Sequence, residues 1–179
     1  TVSTPINGQV LVYYKGEGRT LAWSEPKNRF TTRYSYLPER MEICDKLMVS
    51  FKNGAMWIHD KNPIYNNFYG VQYTSQLLVI PNGRQQEVKV WLSLMINSKQ
   101  DNKGFDWSAP QIYNKRGQSS YLLKSFFAGG LIEAEEYWHT DFKRDINTVG
   151  VTDPIFNGAV LRHSTLTILL ENDYTGEFD

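Results

Sequence analysis

Three histidines, one cysteine and a scatter of carboxylates are the groups in this chain with chemical potential, and their spacing limits what they can do. His59-Asp60 and His139 to Asp141 each set an imidazole near a carboxylate. A catalytic dyad needs hydrogen-bonding geometry and a nucleophile poised beside it. Neighbours along a strand point to opposite faces, so His59 and Asp60 are expected as surface turn residues rather than partners. His163, between Arg162 and Ser164, is expected at a surface or edge of the last strand. Glu133 and Glu135 would share one face of a strand, and paired carboxylates are the equipment of glycosidases. Alternating Glu is also how the wet face of an antiparallel sheet reads, and that reading is adopted. Cys44 has no cationic activator beside it, only Asp45.

Metal and cofactor chemistry is not announced either. Cys44, His59, His139 and His163 lack the close ligand spacings of zinc sites. The run Asp101-Asn102-Lys103-Gly104-Phe105-Asp106 resembles the start of a calcium loop in composition only, without ordered 1-3-5 oxygen ligands or a Glu at position twelve. No phosphate-cradling Gly-rich loop and no nucleophile elbow occurs. The expectation is therefore no catalytic residue, no metal, no cofactor and no enzymatic activity.

The elements that would position any site are strands. Aromatic residues make up 14% of the chain, with eleven Tyr, nine Phe and five Trp, and such residues suit pleated, half-buried surfaces. Lys52-Asn53-Gly54 between the apolar runs Leu47 to Phe51 and Ala55 to His59 predicts a hairpin, because both central residues reach positive φ at low cost. Glu25-Pro26-Lys27-Asn28 predicts a turn ahead of the alternating run Phe30 to Tyr36, whose Phe30, Thr32, Tyr34 and Tyr36 would form a buried face. Val88 to Ile96 reads as one long strand at the heart of a sheet, with Val88, Val90, Leu92, Leu94 and Ile96 inward. Trp107 to Tyr113 and Ser119 to Leu123 are weaker strands around Asn114-Lys115-Arg116-Gly117. Leu131 to Trp138 suits strand or short helix. In Ala159 to Leu170, Leu166, Ile168 and Leu170 share the core face of a last strand.

Short strands with turns every ~8–12 residues predict an all-β, antiparallel β-sandwich, with jelly-roll and immunoglobulin-like variants both open, and few short helical turns. At 179 residues the length suggests one β-rich domain over 1–179, and the start at Thr1 suggests a fragment of a larger polypeptide. Nineteen basic residues balance nineteen acidic ones, which leaves no global field to attract nucleic acid or an anionic membrane. No apolar run approaches the ~20 residues of a membrane helix.

Aromatics supply one further candidate. Trp57 clusters with Tyr65, Phe68, Tyr69 and Tyr73 around the Asn-Gly hairpin, while Trp107, Tyr113 and Trp138 lie in the loop-rich middle. Core packing and protein contact are the ordinary uses of such residues. With two or more of them exposed and coplanar, Trp57, Trp107, Tyr113 and Trp138 would instead supply a platform for sugar rings, the alternative reading being a carbohydrate-binding β-sandwich that recognises a host surface glycan.

RFTTRYSYLPERM, SFKNGAMWIHD and YNNFYGVQY, with APQIYNKRGQSS, YWHTDFKRDIN and DPIFNGAVLRHSTLTILLEND further on, resemble tail proteins of the crAss-like phages, short-tailed viruses of gut Bacteroidales. At the end of the chain Ala159 and His163 stand where those proteins have an acid and a glycine. The resemblance implies a virion structural protein, most like the C-terminal β-rich portion of a large tail muzzle or stabilisation protein. Such a protein is made in the host cytoplasm and packs in rings with copies of itself and other tail proteins. It carries over no catalytic or binding residue.

Overall fold

A computed structural model describes residues 9–13, 18–84, 86–97, 106–127, 131–132 and 137–173. The acidic pair Glu133 and Glu135, and the Asp101 to Phe105 stretch of the calcium-like loop, lie outside the described residues. The fold is all-β with antiparallel pairing throughout. Two four-residue helical turns, Lys124–Phe127 and Pro154–Asn157, are the helical elements among the described residues. The chain divides into two compact units, Thr1–Tyr73 and Thr74–Asp179, where length alone suggests a single domain.

In the first unit, β1 (Gln9–Tyr13), β2 (Thr20–Ser24) and β3 (Arg29–Tyr34) form one antiparallel sheet. Its predicted turn is present: Asn28 takes φ 47° and its N–H donates to the Glu25 carbonyl at 3.1 Å. β4 (Arg40–Cys44), β5 (Leu47–Lys52) and β6 (Ala55–Ile58) form a second sheet, and β7 (Asn67–Phe68) pairs with β8 (Val71–Gln72). Three turns in this unit leave two residues between paired strands: Asp45-Lys46, Asn53-Gly54 and Tyr69-Gly70. All six residues have positive φ, from 42° to 78°. That backbone shape matches the right-handed twist of the strands it joins.

The expected buried face of residues 30 to 36 is corrected. β3 is exposed along most of its length, and a register irregularity interrupts its pairing with β2 between Ala22 and Trp23. Only the end of the run turns inward, with Tyr34 half-buried and Tyr36 enclosed beyond the strand.

The second unit contains β9 (Ser75–Val79), β10 (Lys89–Val90), β11 (Ser93–Asn97), β12 (Trp107–Tyr113), β13 (Ser119–Leu122), β14 (Leu131–Ile132), β15 (Tyr137–Asp141), β16 (Arg162–His163) and β17 (Thr167–Asn172). A four-stranded sheet runs β13-β12-β17-β9, and a three-stranded sheet runs β11-β15-β14. Ala109, Ile112, Leu122, Ile168 and Leu170 from the first sheet share one core with Phe127, Phe142, Leu161 and Leu166. Leu94, Ile96 and Trp138 of the second sheet pack against that core, so the arrangement is sandwich-like. At the rim, Thr74 Oγ1 donates to Asp173 at 3.0 Å and Gln76 Nε2 to Glu171 at 2.7 Å, pinning the start of β9 to the end of β17.

The single long strand expected over Val88 to Ile96 is two strands. β10 pairs with β16, and β11 pairs with β15. At residues 91 and 92 the chain changes partners: Trp91 N–H donates to the Leu161 carbonyl and Phe142 N–H to the Leu92 carbonyl. This changes which parity faces inward. Trp91 packs on the core before the break and Leu94 and Ile96 after it, while Leu92 is left 67% exposed. A one-residue slip moves every following side chain to the other face of a strand. Between Pro154 and β16, Gly158 passes so close to the backbone carbonyls of Pro154 and Asp145 that a Cβ has no room.

Two substitutions check this account by urea unfolding followed by tryptophan fluorescence. Gly54→Val forces a β-branched residue to φ +74° and should cost on the order of 1–2 kcal/mol. Phe127→Ala empties the centre of the second unit and should cost about 3–5 kcal/mol. Losses below half a kcal/mol at both positions would contradict it.

Candidate functional site

The best-organised cluster of polar and aromatic groups lies in the first unit and grows out of the Asn53-Gly54 turn. A two-residue turn there fixes the register of β5 and β6, setting Ser50 opposite Trp57, and the His59 N–H donates to the Met48 carbonyl. Ser50, Trp57 and His59 therefore share one face, His59 as a diagonal neighbour of Ser50. Ser50 Oγ sits 2.6 Å from His59 Nε2 and 2.8 Å from the Tyr69 hydroxyl.

Aromatic rings close over these polar atoms. Tyr36 lies 5.1 Å from the His59 ring, 4.5 Å from Phe68 and 5.7 Å from Tyr69 by centroids, and Trp57 meets Tyr69 edge-on at 5.4 Å. Tyr69 reaches Ser50 from the tight turn between β7 and β8, where it takes φ 55°. A non-glycine residue in that region costs on the order of 1–2 kcal/mol. The hydrogen bond to Ser50 and the ring contacts with Tyr36 and Trp57 offset it.

Electrostatics follow from enclosure. Burial pushes the Tyr36 phenol far up, helped by Tyr34, Tyr69 and Asp60. Tyr34 is raised by burial and by Asp60, and Tyr69 is raised by burial although its bond to Ser50 pulls the other way. Burial lowers the His59 imidazole below its ordinary 6.5, against the upward pull of Asp60. His59 is thus held neutral and half-buried, which corrects its expected place in a surface turn.

A serine at hydrogen-bond distance from a neutral imidazole is the core of a nucleophile–base pair. Ser50, however, is 0% exposed and its hydroxyl is already shared between His59 and Tyr69. A nucleophile must meet a substrate carbonyl or phosphoryl group, and this oxygen meets only the protein. The group works as a satisfied polar knot inside an aromatic core.

The remaining sequence candidates stay apart from it. His139 Nε2 and Asp141 Oδ1, two residues apart on β15, lie 3.9 Å from each other at the surface, beyond hydrogen-bond reach. Cys44 is an exposed free thiol. Among the described residues no group of three or more His, Cys, Asp or Glu could hold a metal ion, and no helix is long and apolar enough to cross a membrane.

Of the four aromatic residues of the possible platform, Trp57 falls in the first unit and Trp107, Tyr113 and Trp138 in the second. Trp107 and Trp138 are partly buried and pack against the core of the second unit, where Tyr113 is 45% exposed. Trp57, in the first unit, is 36% exposed and engaged edge-on by Tyr69. Packing thereby engages Trp107 and Trp138, while Tyr113 and Trp57 keep exposed surface.

What is open instead is apolar sheet edge. β6 ends the β4-β5-β6 sheet with all four residues exposed, Met56 at 62%. β9 ends the four-stranded sheet with consecutive Leu77 and Leu78 exposed at 51% and 57%. Sequence reading missed both, because edge and centre strands carry the same apolar signal.

Neither a scan against protein-family models nor a search of the curated proteins finds a match.

Two measurements test the polar knot. Ser50→Ala strands the buried ends of His59 and Tyr69 and should cost about 1–3 kcal/mol in urea unfolding; a neutral result would contradict it. Because the folded state binds fewer protons at His59 than the unfolded chain, stability should fall as pH drops below 6.5 toward the depressed folded value. His59→Gln should flatten that slope; an unchanged slope would show that His59 is not its source.

Proposed function

We propose that this chain is a non-enzymatic structural domain that works by packing against copies of itself and neighbouring subunits, as a component of a phage tail. One observation carries the packing role: the terminal strands β6 and β9 present large apolar side chains to solvent at the edges of two sheets. Monomeric proteins blunt such edges with charge, proline or bulges, because an edge strand templates pairing with another chain. Neither Ala55–Ile58 nor Ser75–Val79 contains a charge or a proline.

Net charge supports the same reading. A formal charge of zero removes like-sign repulsion between copies held side by side. The buried state of Ser50, which withdraws the best nucleophile–base geometry from solvent, favours a structural role over hydrolysis. The tail assignment rests on the resemblance from about Arg19 onward: the phrasing between Arg29 and Tyr73, the Ala109 to Ser120 and Tyr137 to Asn147 segments, and the closing Asp153 to Asp173 stretch.

Light scattering at rising concentration tests the packing role. Self-association or association with other tail proteins is expected, and Met56→Lys with Leu78→Lys should shift the apparent dissociation constant upward about tenfold or more while leaving the unfolding midpoint near wild type. A protein that stays monomeric, binds no other tail component and is absent from purified particles would end the proposal.

A further inference from the structure

The second unit has a cleft that the packing role does not use. Its construction starts at the turn between β12 and β13, where Asn114 organises the backbone. Asn114 Oδ1 accepts the N–H groups of Arg116 at 2.9 Å and Gln118 at 3.3 Å, an Asx-type turn closed also by the Gly117 N–H on the Asn114 carbonyl at 3.1 Å. Gln118 then ties this turn to the segment entering β16. Its Oε1 accepts from Asn114 Nδ2 at 2.9 Å and from the Arg162 N–H at 2.8 Å, and its Nε2 donates to the Val160 carbonyl at 2.9 Å. The clamp brings Arg116 and Arg162 to one opening of about 430 Å³, lined also by Val88, His163 and Ser164.

The charge pattern of that opening is one-sided. Among the described residues no acidic side chain lines it. Elsewhere on the surface arginines meet carboxylates, as Arg84 does with Glu87 at 3.3 Å and Arg40 with Glu42 at 2.7 Å. Among the described residues neither Arg116 nor Arg162 has such an ion pair. Lys89 is spent differently: its ammonium donates to the carbonyls of Arg84 and Ser164, at 2.7 and 3.3 Å, and so fixes the backbone at Ser164. His163 is oriented by Thr165, whose N–H and hydroxyl lie 3.1 Å and whose carbonyl lies 3.2 Å from Nδ1.

We propose that this cleft is an anion-binding site that takes a small ligand bearing one oxyanion group, a carboxylate, sulfate or phosphate. Two guanidinium forks recognise such groups in bidentate fashion, and the Ser164 hydroxyl and the His163 ring line the same opening. The volume is in the range of ordinary small-molecule sites, enough for an acidic sugar as well as a bare ion. A nucleic-acid strand fits less well, because it requires a row of cations along a backbone and the chain as a whole is neutral.

Titration of the intact protein with inorganic phosphate, sulfate, glucuronate and, as a neutral control, glucose, followed by amide chemical shifts, tests this. All three anions should move the amides of Gly117, Arg162 and Ser164, and glucose should not. Tighter binding of glucuronate than of the bare ions identifies an acidic sugar as the ligand; equal binding identifies a free oxyanion. Arg116→Ala with Arg162→Ala should weaken binding about tenfold or more. Gln118→Ala, which keeps every charge, should weaken it severalfold by releasing the clamp. Should the alanine pair unfold the protein, Arg116→Lys with Arg162→Lys keeps both charges, removes the forks and should still lose severalfold. The proposal is overturned if no anion moves these amides at tens of millimolar or if all variants bind as wild type does. Single-stranded DNA binding more tightly than phosphate, with shifts spread beyond the cleft, would overturn it too.

Discussion

The second unit depends on the burial of one face of β17. Leu166, Ile168 and Leu170 are enclosed, and the strand is hydrogen-bonded on both sides, to β12 and to β9. A strand paired on two edges with one enclosed face gives its neighbours little choice of register, since a one-residue slip would turn Ile168, Leu170 and the buried Asn172 to the other face. Ile112 and Ala109 on β12 and the half-buried Val79 on β9 complete that surface. The other sheet reaches the same core through Leu94, Ile96 and Trp138. In the first unit the comparable constraint is polar as well as apolar: Ser50 must keep both its partners, so the β5–β6 register and the Tyr69-Gly70 turn are fixed together.

Much of the strand pattern was legible because turn chemistry is local. Asn53-Gly54, Pro26 with Asn28, and Asn114 to Gly117 mark their turns by residue type, and the structure bends at each. Asp45-Lys46 makes the same kind of turn as Asn53-Gly54 with neither Asn nor Gly, so β4 left no comparable mark. The alternation from Val88 to Ile96 misled for a different reason. Periodicity reports that side chains alternate, not that one partner strand serves the whole run, and here the partner changes from β16 to β15 at Leu92.

The site was less legible than the fold. Ser50 and His59 are nine residues apart, and their meeting follows only when the turn register is carried through the hairpin. Tyr69 comes from a different sheet, and no spacing rule connects it to Ser50. Exposure was the hardest property to read. Trp107 and Trp138 are anchored on a core while Met56, Leu77 and Leu78 stand open, because the chain contains more large apolar residues than its two units enclose. That surplus, placed on terminal strands without charge or proline, is the observation on which the proposed packing role rests.

Amide hydrogen exchange, compared between the isolated protein and its assembled form, tests that role most directly. Subunit packing along the open edges predicts that amides of residues 55–58 and 75–79 gain protection on assembly, while those of the central strand β17 change little. Unaltered exchange along both edges in a verified assembly would contradict it.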